Sequence, residues 1–217
     1  MIQAVIFNLD GVLVTSHTCH FQAWKLLAEE QGIPFNDGIY QRMQGMKRMD
    51  SLRLLLKRAE RQYSPGEMWA LSARKNDLFN ELADQLNAAE SILPGAVDTL
   101  TKLRALGVKT AVGSSSENAE GILRQLHLDP LLDVIVDGTQ IEKGKPDPEV
   151  FLLAVRKLNV PAEECLIVEN TEAGLAAAQA AGIEAAALHT DEKDGPVSLQ
   201  ALRLWERIAR ERGVQAP

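Results

Sequence analysis

The stretch Ala4-Val5-Ile6-Phe7-Asn8-Leu9-Asp10-Gly11-Val12-Leu13 decides how this chain folds and what chemistry it can perform. Its first four residues are apolar throughout, which is typical of a buried strand in a parallel sheet. An Asp-x-Asp pattern directly after such a strand would supply a carboxylate that accepts a phosphoryl group and an acid/base partner two residues on. Here the first of these positions is Asn8. The sequence therefore indicates a phosphoryl-transfer site with a neutral amide where the attacking carboxylate belongs.

Outward from this stretch, short apolar runs alternate with helical patterns. Apolar runs separated by helices predict a parallel sheet covered on both faces, that is, a Rossmann-like, doubly wound α/β core. The predicted strands are residues 3–7, Lys109–Gly113, Asp133–Val136, Cys165–Val168 and Glu184–Leu188, and helices are predicted over Ala96–Leu106 and about Ser198–Arg212.

Residues of about 15–90 interrupt this alternation, because they contain helical patterns without a strand between them. Ser64-Pro65-Gly66-Glu67 is a strong helix start, with Ser64 as N-cap and Glu67 closing a capping box. We therefore predict a four-helix cap domain over residues 15–90, inserted into a core domain of residues 1–14 and 91–217. The predicted cap helices are Cys19–Gln31, Ile39–Gln44, Ser51–Gln62 and Ser64–Asn87.

Composition excludes several classes of function. The chain has 217 residues, 46% of them hydrophobic, which is enough for a sizeable core. Its net charge of −7 argues against general binding of nucleic acid or anionic membranes, but not against a small phosphorylated ligand held by clustered cations. Cys19 and Cys165 form no metal-binding or disulfide framework, and we expect neither a leader nor a membrane-spanning segment. We expect a cytoplasmic monomer.

Four polar or flexible segments follow predicted strands. In a doubly wound sheet, ligands bind beyond the carboxyl ends of the strands. Each segment alone is compatible with an ordinary loop, whereas all four in this order indicate a common site. The segments are Asn8–Gly11, Ser114–Ser116, Lys143–Pro148 and Glu169–Gly174.

The residue types in these segments suit phosphoryl transfer. A phosphoryl group in transfer spreads negative charge over three oxygens and requires donors and a cation in a fixed arrangement. Ser114 supplies a hydroxyl, the backbone N–H groups that follow at Ser115 can cradle oxygens, and Lys145 supplies a point charge. Acidic groups at the first and fourth strand ends would hold Mg²⁺, which prefers hard oxygen ligands. Asp10 would carry the proton.

Together these motifs resemble those of the haloacid dehalogenase-like phosphotransferases, and more narrowly of their β-phosphoglucomutase-like branch. The resemblance covers nearly the whole chain. The core motifs match except at positions 8 and 170. In the predicted cap, His20–Lys25 resembles a hinge-proximal helix, Gly45–Ser51 a substrate-specificity loop and Arg74–Asn76 a second cap cluster.

The resemblance implies catalytic and metal-binding roles. The nucleophile position is that of Asn8, and Asp10 would be the general acid/base. His20 would couple cap closure to Asp10. The Mg²⁺ site would comprise position 8, the Asp10 backbone carbonyl, Glu169 and Asn170.

The resemblance also implies substrate contacts for a small phosphorylated sugar. Ser114, Ser115 and Lys145 would bind the transferring phosphate. Arg48 would bind the distal phosphate, and Lys75 would help to seat the sugar.

Two residues of the predicted reacting centre differ from the family pattern. Asn8 has no anionic oxygen, and loss of a catalytic nucleophile typically costs on the order of 10⁴–10⁶ in rate. Asn170 removes a second charge from the metal site, so we expect weakened Mg²⁺ binding, with Glu169 retained. Thr15 stands where the family usually carries an acid.

Three accounts of these departures remain open: a natural pseudoenzyme, an enzyme altered at these positions, or activity by another route with Asp10 or water attacking. The predicted function is a sugar-phosphate phosphotransferase scaffold with impaired turnover. An intact version would interconvert β-glucose 1-phosphate and glucose 6-phosphate through an aspartyl phosphate and a bisphosphate. The alternatives are a catalytically silent sugar-phosphate-binding or regulatory module, and a phosphatase of the same superfamily acting on another small metabolite.

Overall fold

The computed structural model describes residues 1–188 and 203–215. Within them, five strands form one sheet in the order β3-β2-β1-β4-β5, and every neighbouring pair is parallel. This confirms the doubly wound parallel sheet predicted from the sequence. The strands are β1 (Ala4–Phe7), β2 (Lys109–Gly113), β3 (Val134–Val136), β4 (Cys165–Glu169) and β5 (Glu184–Ala187).

The central position of β1 in the sheet explains why its sequence is apolar throughout. It pairs with β2 on one side and β4 on the other, and all four of its residues are fully buried. Val5 and Phe7 belong to one hydrophobic cluster, whereas Ala4 and Ile6 belong to a second. Since successive side chains of a strand point to opposite faces, the sheet separates two cores.

Helices cover both faces of the sheet. In the described residues the helices are α1 (His17–Glu30), α2 (Asp37–Met43), α3 (Arg48–Leu56), α4 (Pro65–Ala83), α5 (Ala88–Ser91), α6 (Ala96–Ala105), α7 (Ala119–Gln125), α8 (Glu149–Leu158), α9 (Glu172–Ala180) and α10 (Leu204–Arg212). Helices α1–α5 lie between β1 and β2 and are called the helical insert below. None of the described helices is long and apolar enough to cross a lipid bilayer.

The chain enters and leaves the helical insert at one place. Val14, in the segment that leads into the insert, forms an antiparallel bridge with Ile92, in the segment that leads out of it. The Thr15 N–H donates to the Ser91 carbonyl at 2.8 Å, and the Leu93 N–H donates to the Leu13 carbonyl at 2.9 Å. The two connections therefore run side by side as a short paired ribbon. The domain boundaries at residues 15 and 90 stay a prediction.

Three helix ends differ from the predicted ones. The third helix begins at Arg48 and ends at Leu56, not at Gln62, because residues 57–62 are polar and largely exposed and have no apolar face to pack. The fourth ends at Ala83, and Asn87 instead caps the separate short helix α5, accepting from the Glu90 N–H at 3.1 Å.

Other predicted ends agree more closely. The capping box at Ser64 and Glu67 is confirmed, with the Ser64 N–H donating to the Glu67 carboxylate at 2.7 Å. Of the predicted final helix, the part before residue 203 lies outside the described residues, and the described helix spans Leu204–Arg212.

Candidate functional site

The predicted site residues gather at the carboxyl edge of the sheet. A cavity of about 460 Å³ lies there, beneath the helical insert. Glu169, at the end of β4, is fully buried and is not part of the cavity lining. The other predicted site residues all line the cavity: Asn8, Asp10, His20, Arg48, Lys75, Ser114, Ser115, Lys145 and Asn170.

Asn8 lies directly after β1 with its amide held by three neighbours. Its oxygen accepts a hydrogen bond from Lys145 Nζ at 3.1 Å. Its nitrogen donates to Asn170 Oδ1 at 2.9 Å and to the Asp10 backbone carbonyl at 3.2 Å. Because an ammonium group can only donate, Lys145 determines which end of the Asn8 amide is the oxygen. Position 8 therefore presents a fixed, neutral amide to the cavity.

Lys145 and Glu169 form a buried ion pair beneath the cavity. Lys145 Nζ lies 2.6 Å from Glu169 Oε1, and the two side chains are 1% and 0% exposed. Glu169 Oε2 accepts from the backbone N–H groups of Asn170 and Thr171, each at 2.7 Å. A Cβ on Gly174 would lie 1.9 Å from Glu169 Oε1, so the carboxylate fits only against a glycine. Both oxygens of Glu169 are thus occupied within the protein.

The predicted magnesium residues, in this arrangement, do not fit the ion. Two of the oxygens expected as ligands, the Asp10 carbonyl and Asn170 Oδ1, both accept hydrogen bonds from the Asn8 nitrogen. Glu169 is neutralised by Lys145. No group of three or more His, Cys, Asp or Glu in the described part of the chain is placed to hold a metal. The Asn8 N–H groups therefore lie where a cation would have to contact these oxygens.

Asp10 contacts Ser16 and His20 at the edge of the cavity. Its Oδ1 accepts a short hydrogen bond from Ser16, and its Oδ2 lies 4.0 Å from His20 Nε2. Burial raises the pKa of Asp10 above its ordinary value, although the Ser16 hydrogen bond opposes the rise. Gly11, which follows, has a φ of +75°, and a Cβ there would lie 2.3 Å from Asn170 Nδ2. The turn that places Asp10 therefore requires glycine.

His20 and Lys75 form a pair at the insert side of the cavity. Lys75 Nζ lies 2.8 Å from His20 Nδ1 and is packed near the rings of Trp24 and Phe79. Burial, and then the charge of Arg48, lower the pKa of Lys75 to about 7. Burial, and then the charge of Lys75, lower the pKa of His20 well below its ordinary value. A neutral His20 ring can accept a hydrogen bond from the Lys75 ammonium through Nδ1.

The loop between α2 and α3 closes the cavity from above. Lys47 Nζ donates to the Ile141 carbonyl at 2.5 Å, which ties this loop to the sheet layer. Arg48, the first residue of α3, forms an ion pair and a hydrogen bond with Glu117, in the segment after β2. The helical insert is therefore held against the sheet layer at the cavity rim.

The serine run after β2 lines one side of the cavity. Ser114 Oγ accepts from the Ser116 N–H at 3.1 Å, and Ser115 Oγ accepts from the Lys145 N–H at 3.2 Å. Ser116 Oγ lies 3.4 Å from His20 Nε2. The run therefore links the Lys145 loop to the insert.

Sequence reasoning did not find Ser16, which holds Asp10, or Glu117, which lines the cavity. Thr171 and Gly174 belong to the predicted segment Glu169–Gly174, but no individual role was predicted for them. Gly174 could have been flagged as a glycine in the first turn of a helix. Ser16 and Glu117 belong to no sequence pattern that marks their partners.

Comparison with known proteins finds relatives along most of the chain. The model of the haloacid dehalogenase-like hydrolase family matches residues 2–182. The chain is 40% identical to β-phosphoglucomutase of Bacillus subtilis over 183 aligned residues. The alignment covers 83% of this chain and 80% of that protein. The chain is 32% identical over 185 residues to a phosphorylated carbohydrates phosphatase of Thermotoga maritima, covering 84% of this chain and 82% of that protein. The crystal structure of β-phosphoglucomutase from Clostridium difficile superimposes with a TM-score of 0.84 at 30% identity, covering 88% of this chain and 86% of that one.

Proposed function

Because this chain belongs to the haloacid dehalogenase-like hydrolase family, in its β-phosphoglucomutase-like branch, we propose that it binds a phosphorylated sugar but turns it over very slowly. The curated relatives are named as a sugar-phosphate mutase and a phosphatase of phosphorylated carbohydrates, which supports a sugar phosphate as ligand. The cavity of about 460 Å³ is of the size of small-molecule sites, which supports the same proposal.

The observation that carries the proposal is the amide of Asn8. Attack on phosphorus from this position requires an anionic oxygen, whereas the Asn8 oxygen is neutral and already accepts from Lys145. Loss of the nucleophile costs on the order of 10⁴–10⁶ in rate, while binding contacts elsewhere are retained. We therefore expect binding without appreciable chemistry.

The remaining residues support the binding half of the proposal. The phosphate would lie against Ser114, Ser115 and the Lys145 ammonium, and the sugar would lie below Lys75 and His20. Asp10, which accepts a hydrogen bond from Ser16, would lie next to the phosphate oxygens. We further propose that binding does not depend on magnesium, since the Asn8 nitrogen already bridges the oxygens that would ligate the ion.

The test compares the chain as it stands with the variant Asn8→Asp/Asn170→Asp. Each protein is incubated with β-glucose 1-phosphate and magnesium and followed by ³¹P NMR, and sugar-phosphate binding is followed in parallel by calorimetry. The unaltered chain should bind without forming product, and the double variant should gain turnover. Product formation by the unaltered chain, or an acyl phosphate trapped on it, would contradict the proposal.

The same spectra separate the alternatives. Isomerised sugar phosphate from the double variant indicates a mutase scaffold. Release of inorganic phosphate favours the phosphatase alternative, to which the Thermotoga maritima relative points. Binding by both proteins with no chemistry in either favours a binding or regulatory module.

A further inference from the structure

The ion pair between Arg48 and Glu117 changes what the rim of the cavity can bind. Arg48 belongs to the helical insert and Glu117 to the sheet layer, and both line the cavity. The Arg48 guanidinium donates to the Glu117 carboxylate, and the two side chains are 16% and 32% exposed. The cation predicted to receive a distal phosphate therefore already has an anionic partner.

Two of the three lysine and arginine side chains that line the cavity of the described structure are paired with carboxylates, Lys145 with the buried Glu169 and Arg48 with Glu117. Lys75 and the Asp10 carboxyl also line the cavity. Each phosphate monoester carries about −1.5 to −2 charges at pH 7. One such group can be accommodated near Ser114 and Lys145, whereas a second at the rim would lie beside the Glu117 carboxylate or have to displace it.

We propose that Glu117 is a specificity-determining residue that restricts this cavity to sugar monophosphates. It keeps the Arg48 guanidinium engaged, so the rim offers a neutral, hydrogen-bonding pair that suits the hydroxyl groups of a sugar. A sugar bisphosphate is disfavoured by repulsion from Glu117 and by the lost Arg48 contact. This inference rests on the proposed function, and it names the class of ligand for that same site.

The test is a titration of two ligands, glucose 6-phosphate and glucose 1,6-bisphosphate, at low ionic strength, where charge effects are least screened. Trp24 lines the cavity, so its fluorescence can report binding, with calorimetry as the second readout. The variants are Glu117→Gln, which removes the charge and keeps the shape, and the control Glu120→Gln. Glu120 pairs with Arg124 on the surface of α7 and does not line the cavity.

In the unaltered chain the monophosphate should bind at least as tightly as the bisphosphate. Glu117→Gln should shift the ratio of the two affinities about tenfold or more toward the bisphosphate, and Glu120→Gln should leave it unchanged. If Glu117 only fastens the insert to the sheet layer, both affinities move together and the ratio stays constant, which overturns the inference. The inference also fails if the unaltered chain already prefers the bisphosphate by tenfold. Failure of every protein to bind either ligand would overturn the proposed function itself.

Discussion

The two amides at positions 8 and 170 should prove energetically coupled, and a double-mutant cycle measures this coupling. Either single replacement by Asp keeps a hydrogen bond between the two positions, because the remaining amide can still donate to the new carboxylate. The double replacement Asn8→Asp/Asn170→Asp places two carboxylates together and removes both donors. We therefore expect near-neutral single variants and a markedly less stable double variant when no metal is present.

The geometry sets the size of this effect. Two unit charges at the present 2.9 Å separation of Asn8 and Asn170 would repel by about 6 kcal/mol at an effective dielectric of 20. One carboxyl can escape by taking up a proton. Raising its pKa from the usual ~3.9 to pH 7 limits the cost to about 4 kcal/mol. Lys145 offsets part of that, so a coupling free energy between about 1 and 4 kcal/mol is expected at pH 7.

The assay is urea unfolding of the four proteins of the cycle, in EDTA and again in excess MgCl₂, followed by tryptophan fluorescence. In EDTA the coupling should be destabilising. Magnesium should restore the double variant, by about 2.7 kcal/mol at a hundredfold excess over its dissociation constant, and leave the unaltered chain unchanged. Additive single effects, or equal stabilisation of the unaltered chain by magnesium, would refute the reasoning.

Two further predictions concern stability. Because burial lowers the pKa of Lys75 to about 7 from an ordinary 10.5, the unfolded chain binds more protons between these values. The stability of the unaltered chain should thus gain about 1.4 kcal/mol per pH unit between pH 7 and 9, as measured by urea unfolding. Above pH 9 the gain is opposed by Cys19 and Cys165, because burial raises the pKa of both thiols. Lys75→Met should abolish this contribution and exposed Lys25→Met should keep it; equal slopes in both variants would disprove the assignment. Gly174→Ala should destabilise the fold by at least about 2 kcal/mol, because the new Cβ overlaps the Glu169 carboxylate. Gly121→Ala, with no atom within 4 Å of the added Cβ, should stabilise by up to about 1 kcal/mol, and similar effects of the two alanines would contradict the packing argument.

The sheet was predictable because its strands are apolar on both faces. Buried parallel strands leave a local signature, and β1 and β4 show it along their whole length. The end of α3 was not predictable in the same way. Residues 57–62 continue good helix formers beyond Leu56, but Ala59 is their one apolar side chain, so they offer no apolar face that would extend the helix.

The part of the candidate site that lies at the ends of the parallel strands was predictable from the sequence. The carboxyl ends of parallel strands lie at one edge, so Asn8, Ser114 and Glu169 had to be neighbours. Contacts between the helical insert and the sheet layer could not be predicted from the sequence, because they depend on how the two pack together. The Arg48 contact with Glu117 is of this kind, because nothing local to either residue specifies the other.

The paired ribbon at Val14 and Ile92 means that the chain leaves the sheet layer and returns to it at neighbouring points. The helical insert is therefore attached to the sheet layer through one pair of neighbouring chain connections. Because of this attachment, the helical insert can be lengthened, exchanged or deleted in evolution without a change in the order of the strands. Because the two connections are hydrogen-bonded to each other, a bend in one of them has to involve the other.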